Sequence, residues 1–459
     1  MELRFQHFCN LPVESPDLVR DSRPALLHSA IPAGKPNSKA FSAAPLRKPR
    51  RPGSFAASGE NSELPPELPR LPFKQSLPPR LLKVAIASQT AFNPVLRNRP
   101  LQVFSPKTPA RRRRLPRKSS HMLAGCFPAA RRVELVEVPE PAFPDASLPP
   151  EQVLFQPEVT CLCGSDLPFF DAAFEGHPIP YPQPVGMSLH EMVGTVIRST
   201  SNRWSEGQRV LAVPLGQRGL FERCVVPADR IVPLTPGLAD EFAMLAQPFG
   251  TVIHALKKLP NMIDRDVVVL GQGPIGQMFN AGLRNLGARR IIGIDPLPLR
   301  LQHSHRLGAT HTIAANGRDS VEQVRKLLDG ELPDVVVEAV GHRAHAVNDA
   351  IELVRPEGRV LIFGVLPTSI DGINLRAALW KNAQILTSLH PDFERTFPLA
   401  MQWIAEGRVN LAPLITHRFP LNQLQQAFDV FRDRTDGALK VIVHFPASVF
   451  GQQVQISHR

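Results

Sequence analysis

The chain has 459 residues but only five cysteines, Cys9, Cys126, Cys161, Cys163 and Cys224. Their spacing follows no disulfide framework, which excludes a bridge-stapled secreted module and points to a reducing compartment, taken here as cytoplasmic. No run of about 18 apolar residues occurs, so no membrane-spanning helix is expected. No apolar segment follows a basic N-terminal start, so no secretory signal is expected either. Internal repeats are absent. The body of the chain also lacks any excess of positive charge. A net charge of +12 and a pI near 10.0 would suit a polyanion binder. Residues 1–120, however, hold 22 Lys and Arg against 7 Asp and Glu, and the rest hold 31 against 34. The body therefore reads as ordinary, slightly acidic and globular, with no nucleic-acid partner expected.

Residues 1–121 read as a disordered, basic, proline-rich extension, with Pro65-Pro66, Pro78-Pro79 and the run Lys107 to Lys118. Such a segment buries too little apolar surface to offset its ordering entropy. Three functional readings compete with that of a solvated tail. It could bind a polyanion, serve as an Arg- and Ser-rich targeting leader, or be untranslated sequence ahead of a start at Met122. The last is favoured.

What is present is clearest from Asp266 to Asp295. A short β-branched run, Val267 to Leu270, precedes Gly271, Gly273 and Gly276 in G-x-G-x-x-G spacing. A helical pattern follows through Leu286, and then Ile291 to Ile294 ends in Asp295. Strand, tight turn, helix and strand form the first half of a dinucleotide-binding unit. Gly271 permits the turn, Gly273 lets the backbone approach a pyrophosphate, and Gly276 lets helix pack on strand. The helix start, with Pro274 and Ile275, offers free N–H groups to the anion. Asp295 stands where a carboxylate would bind the ribose hydroxyls and repel a 2′-phosphate, so NAD is favoured over NADP.

The length suggests two or three domains. Residues 122–240 read as short strands with dense turns, and 266–390 as alternating strands and helices, hence a parallel, doubly wound sheet. In the β-rich part, Cys163, His190 and Glu191 supply thiolate, imidazole and carboxylate, a set that suits a tetrahedral zinc with one open position. Such a zinc polarises a carbonyl or acidifies an alcohol. Ser165, two residues past Cys163, could relay a proton. Each of these residues alone is more often a core or satisfied polar side chain. Cys161 would share a strand face with Cys163 and could assist at the metal.

Several ordered motifs carry a family resemblance. Thr160 to Asp166 resembles a T-G-I-C-G-S-D segment, and Leu189-His190-Glu191 with Val193-Gly194 resembles a G-H-E-x-x-G segment. Glu206 to Val210 is similar to a G-D-R-V turn, and Gly271 to Gly276, Asp295 and Arg300 match the cofactor half. On these, Met122 to Phe445 resembles the medium-chain dehydrogenase/reductase superfamily, on its zinc-dependent alcohol and polyol side, near sorbitol and threonine dehydrogenases. The resemblance implies an α/β architecture with a Rossmann domain (251–390) and a GroES-like catalytic domain (122–250, completed by 391–459). It implies zinc on Cys163 and His190, with Glu191 as third ligand or exchanging carboxylate, and Ser165 in the proton relay. It places Arg300 near the adenosine end of the cofactor, with Val340 and Gly341 on the nicotinamide-ribose side. A homo-dimer or homo-tetramer is expected.

The departures are Leu189 for glycine, Gln208 for aspartate, and Gln247-Pro248 where a Glu-Pro pair often supplies a zinc carboxylate. The four-cysteine lobe that binds a structural zinc is missing, so one catalytic zinc is expected and no structural one. The expected reaction is hydride transfer between an alcohol or polyol carbinol and NAD. The alternatives are a zinc-free NADPH-dependent enone or quinone reductase and a non-catalytic nucleotide-binding protein.

Overall fold

The computed structural model describes residues 121–143, 151–174, 177–341 and 344–446. The basic extension lies outside the described residues, except that His121, expected as its last residue, already opens the first strand. Strands β1 (His121–Ala129) and β2 (Arg132–Pro139) form an antiparallel hairpin whose buried side includes Met122, Ala124, Phe127 and Val133. After β3 (Gln152–Cys161) come a short helix α1 (Leu167–Asp171) and the small pair β4 (Ala173–Phe174) and β5 (His177–Pro178). Next are β6 (Met192–Ser199), β7 (Arg209–Ala212), β8 (Cys224–Pro227) and β9 (Ile231–Pro233). The helical stretch expected at 241–258 is two helices, α2 (Asp240–Met244) and α3 (Ala246–Leu256).

The nucleotide-binding unit follows: β10 (Asp266–Leu270), α4 (Pro274–Asn285), β11 (Arg290–Ile294), α5 (Pro298–Ser304) and β12 (His311–Ile313). Beyond it lie α6 (Val321–Leu327), β13 (Val335–Glu338), α7 (Ala344–Leu353), β14 (Arg359–Ile362), α8 (Leu375–Trp380) and β15 (Gln384–Thr387). These strands form one parallel sheet in the order β12-β11-β10-β13-β14-β15. The chain winds outward from β10 first one way and then the other, which leaves a crevice at the strand carboxyl ends where the direction reverses. Every residue of β10 is buried, as a strand covered on both faces requires.

The C-terminal segment, α9 (Phe393–Ala405), β16 (Ile415–Pro420), α10 (Leu424–Asp433) and β17 (Lys440–His444), returns to the β-rich part. There the sheet order is β16-β17-β3-β6-β7-β9, with β8 also on β3. This return puts β17 beside β3, the strand that leads to Cys163.

Three apolar clusters hold these layers. One joins Val159, Val193 and Leu211 of the β-rich sheet to Phe249 and Val252 of α3 and to Val267 and Phe279 of the nucleotide unit. A second fills the other face of the parallel sheet. The third lies inside the β-rich part, where Phe127, Phe170 and Phe428 meet at ring centroids 5.0 to 6.4 Å apart. Burying one such ring contributes about 1.5–3 kcal/mol. Among the described residues, no helix is long and apolar enough to cross a membrane.

Candidate active site

β3 ends at Cys161, and the chain turns through Leu162 into a single 3-10 turn, Gly164–Asp166, with Cys163 just before it. Asp166 closes the turn: its Oδ2 accepts the Cys163 N–H at 2.7 Å. β6 begins directly after Glu191, and its antiparallel register sets Met192 opposite Thr160. The Thr160 hydroxyl donates to the Glu191 carbonyl at 2.9 Å. Strand pairing therefore carries His190 and Glu191 to the end of the strand that delivers Cys163. One ligand atom from each of Cys163, His190 and Glu191 lies within 4.8 Å of the others. Among the described residues, this is the only such trio.

Three buried atoms at this point have no hydrogen-bond partner: His190 Nδ1, Glu191 Oε1 and Ser165 Oγ. Buried polar atoms are normally satisfied, so unsatisfied ones call for an explanation. A thiolate, an imidazole and a carboxylate fit a zinc ion with a fourth position open. The other oxygen of Glu191 is engaged. Its Oε2 accepts from Lys440 Nζ at 2.5 Å and from the Cys161 thiol at 2.6 Å. Glu191 and Lys440 are 1% and 2% exposed, so each neutralises a charge that would be costly alone.

The surroundings set protonation states. Burial pushes the Cys161 thiol well above its ordinary range and the Glu191 charge adds to this, so Cys161 stays a neutral donor. Burial works against the Lys440 charge, but the adjacent Glu191 carboxylate outweighs it and holds the ammonium well above its ordinary range. Burial likewise lowers the His190 pKa, yet Asp166 and Cys163 raise it more, for a net rise well above 6.5. The Asp166 carboxyl is fully buried, which would raise its pKa, but His190 and the N–H groups of Cys163 and Leu189 bring it below the usual value. His190 Nδ1 lies 3.7 Å from Asp166 Oδ1, beyond a direct hydrogen bond but close enough to orient the ring electrostatically.

The expectation that Cys161 and Cys163 share a strand face does not hold, because the strand stops at Cys161. Cys161 turns to Glu191 instead and lies outside the trio. Gln247 is buried in the first turn of α3 and brings no carboxylate.

In the nucleotide half, Gly271 has φ +86°, a conformation that favours glycine. A Cβ on Gly276 would lie 1.8 Å from the Gly271 carbonyl oxygen, so helix and turn touch backbone to backbone. At Gly273 a Cβ would meet nothing nearer than the Arg300 guanidinium at 3.8 Å, which leaves the turn open. Pro274 and Ile275 form the first turn of α4. Asp295 is 3% exposed and already accepts the N–H groups of Gln272 and Leu297 at 2.8 and 2.9 Å, with Arg300 at 3.4 Å.

Val340 is exposed at the carboxyl end of the sheet, next to Gly341 with φ +67°. Both N–H groups are held by Oε1 of the buried Glu338, at 2.9 and 2.8 Å, and its Oε2 takes the Gly364 N–H at 3.2 Å. Sequence reasoning assigned no role to Glu338, Asp166 or Lys440. A carboxylate three residues after Cys163 was the available signal for Asp166, since short polar side chains cap turns. A lone lysine heading an apolar strand was the signal for Lys440.

With this geometry, the comparisons with known proteins agree. An alcohol dehydrogenase GroES-like domain model matches residues 149–248, and a zinc-binding dehydrogenase model matches residues 274–406. The chain belongs to the zinc-dependent medium-chain dehydrogenase/reductase superfamily. A sorbitol dehydrogenase of Bombyx mori is 28% identical over 346 residues, spanning 68% of this chain and 95% of the relative. An L-threonine 3-dehydrogenase of Rhizobium johnstonii is 26% identical over 334 residues, spanning 66% and 93%. The solved structure of alcohol dehydrogenase TADH from Thermus sp. ATN1 superposes with a TM-score of 0.60 at 26% identity, covering 71% of this chain and all of that one.

As a member of this superfamily, on its alcohol and polyol branch, the protein is an oxidoreductase that works on small molecules with zinc and a nicotinamide dinucleotide. Within the family frame, Leu189 occupies the glycine position before His-Glu and has φ +72°. A left-handed non-glycine residue costs about 1–2 kcal/mol. Leu189 is fully buried, which returns about 1.5–3 kcal/mol. Packing thus offsets the strain that glycine would avoid.

Proposed function

We propose that this protein transfers a hydride between an alcohol or polyol carbinol and NAD, with one catalytic zinc and no structural zinc. The observation that carries the reading is the convergence of one ligand atom each from Cys163, His190 and Glu191 within 4.8 Å of one another, with Glu191 Oε1 buried and unpartnered. Cys163, His190 and Glu191 would hold the metal. When bound, zinc supplies a Lewis acid for the substrate oxygen, and the dinucleotide supplies the hydride acceptor.

The chain's own residues do the rest. Ser165 would take the hydroxyl proton at Oγ and pass it toward solvent. Asp166 would orient His190, an arrangement that fixes a ligating ring. Lys440 and Cys161 would hold Oε2 of Glu191, leaving Oε1 for the metal. Glu338 would hold Val340 and Gly341 as a firm edge against the nicotinamide-ribose. Gly271, Gly273, Pro274, Ile275 and Gly276 would cradle the pyrophosphate at the start of α4. Asp295 would take the ribose hydroxyls and, being buried and anionic, disfavour a 2′-phosphate; Arg300 would lie at the adenosine end. The catalytic domain would span about 122–250 with 391–459, and the nucleotide domain 251–390, with substrate between them.

A homo-dimer or homo-tetramer fits this reading. Leu375, Leu379 and Trp380 of α8 are 61–74% exposed, next in the chain to the edge strand β15. Clustered apolar exposure of this kind marks association surfaces.

The test is titration of the purified full chain with NADH and NADPH, followed by turnover on a panel of alcohols, polyols and enones. NADH binding at least tenfold tighter, with polyol or alcohol oxidation, is expected. NADPH preference with enone reduction would support the zinc-free alternative instead.

A further inference from the structure

A second concentration of charge lies away from the metal trio. Helix α4 starts at the glycine turn and ends in Arg284 and Asn285. Arg306 sits in the 3-10 turn directly after α5, and Arg408 and Asn410 lie in the loop leaving α9. These largely exposed side chains line an open surface pocket of about 230 Å³. Three of its lining residues are arginines and none is acidic.

The cations are largely unspent. The side chains of Arg284 and Arg306 are exposed and make no hydrogen bond or ion pair with any described residue. Arg408 lies 4.3 Å over the Trp403 ring, and its Nε donates to Asn285 Oδ1 at 3.3 Å. Its one carboxylate neighbour, Glu406, is at the 4.0 Å limit. The Arg408 Nε donation uses the acceptor of Asn285, whose Nδ2 is buried with no partner. The pocket therefore carries three exposed guanidinium groups with no carboxylate among its lining residues.

A plainer reading is that each arginine complements a helix C-terminus, since α4, α5 and α9 all end here. Each helix end carries about half a negative charge. Three ends offset about half of three guanidinium charges, so a positive surplus remains.

We propose that this surface pocket is a binding site for a small phosphorylated anion, separate from the dinucleotide site. Guanidinium forks pair bidentately with phosphoryl oxygens. The site is not an extension of the pyrophosphate cradle. The 12 residues of α4 separate the two, a distance of about 18 Å at 1.5 Å per residue. An anion here would tie the end of α4 to the loop after α9.

Inorganic phosphate is the probe. Its ³¹P line broadening and its effect on thermal unfolding would be measured on the full chain, at ionic strength matched with sodium chloride and with NAD⁺ saturating. Saturable broadening and stabilisation are expected to persist under NAD⁺ and to weaken at least tenfold in Arg284→Gln and in Arg408→Gln. Arg284→Gln is the cleaner variant, because Arg284 is exposed and stacks on no ring. An effect reproduced by chloride, abolished by NAD⁺ or unchanged in Arg284→Gln would overturn the proposal.

Discussion

Lys440→Met separates the account's electrostatics from simple packing. Methionine keeps most of the volume of the lysine stem but removes the ammonium 2.5 Å from Glu191 Oε2. Glu191 would be left 1% exposed, with the Cys161 thiol as its remaining side-chain donor. Removing one partner of a buried ion pair typically costs about 3–5 kcal/mol. In metal-free protein that full loss is expected, a fall in unfolding temperature on the order of 10 °C. In zinc-loaded protein the metal provides the missing counter-charge through Oε1, so the loss should shrink to about 1 kcal/mol.

The difference must reappear as tighter metal binding, because the cycle closes. About 3 kcal/mol corresponds to roughly a hundredfold in zinc affinity. Calorimetric scans of chelator-treated and zinc-loaded forms, with a chelator competition assay, measure both arms. An equal loss in the two forms, with unchanged zinc affinity, would refute the reasoning that Glu191 faces the metal.

Two further outcomes follow from the same geometry. Gly276→Ala places a Cβ 1.8 Å from the Gly271 carbonyl oxygen. It should cost about 1–3 kcal/mol by overpacking and weaken NADH binding at least tenfold in a fluorescence titration; unchanged affinity would contradict the tight helix–turn contact. Zinc loading should depend on pH through His190, whose pKa is raised well above 6.5 by Asp166 and Cys163 against the effect of burial. A proton on the ring competes with the metal, so zinc affinity should fall as pH drops through that raised value, by about tenfold per unit. In metal-free protein the sign reverses. The protonated ring contributes stability that is fully present below the unfolded pKa and lost as pH rises through the folded one. Zinc affinity that stays flat from about pH 8 to 6 would contradict the assignment of His190 as ligand.

The cofactor half was legible because its signals are local. Gly271, Gly273, Gly276 and the β-branched run before them lie within one strand, turn and helix, and Asp295 closes the next strand. Cys163, His190 and Glu191 were legible as residue types. Their convergence depends on the pairing of β3 with β6, which no local pattern reports. Lys440 was not assigned because it lies 249 residues from Glu191 in sequence. The C-terminal return of β17 beside β3 creates that contact. Leu189 stood out as a departure from glycine, but its meaning required the φ of +72° and its complete burial. The Cys161 expectation failed for a local reason. Strand alternation was extended two residues too far, past the point where Asp166 pulls the chain into a 3-10 turn.

The most direct test is zinc content of the purified full chain beside that of Cys163→Ser, read together with NAD-dependent oxidation of an alcohol or polyol. The account predicts about one zinc per chain, removal of metal and turnover together by a chelator, return of both on adding zinc, and neither in Cys163→Ser. Undiminished turnover by metal-depleted protein, or full zinc retention by Cys163→Ser, would contradict it.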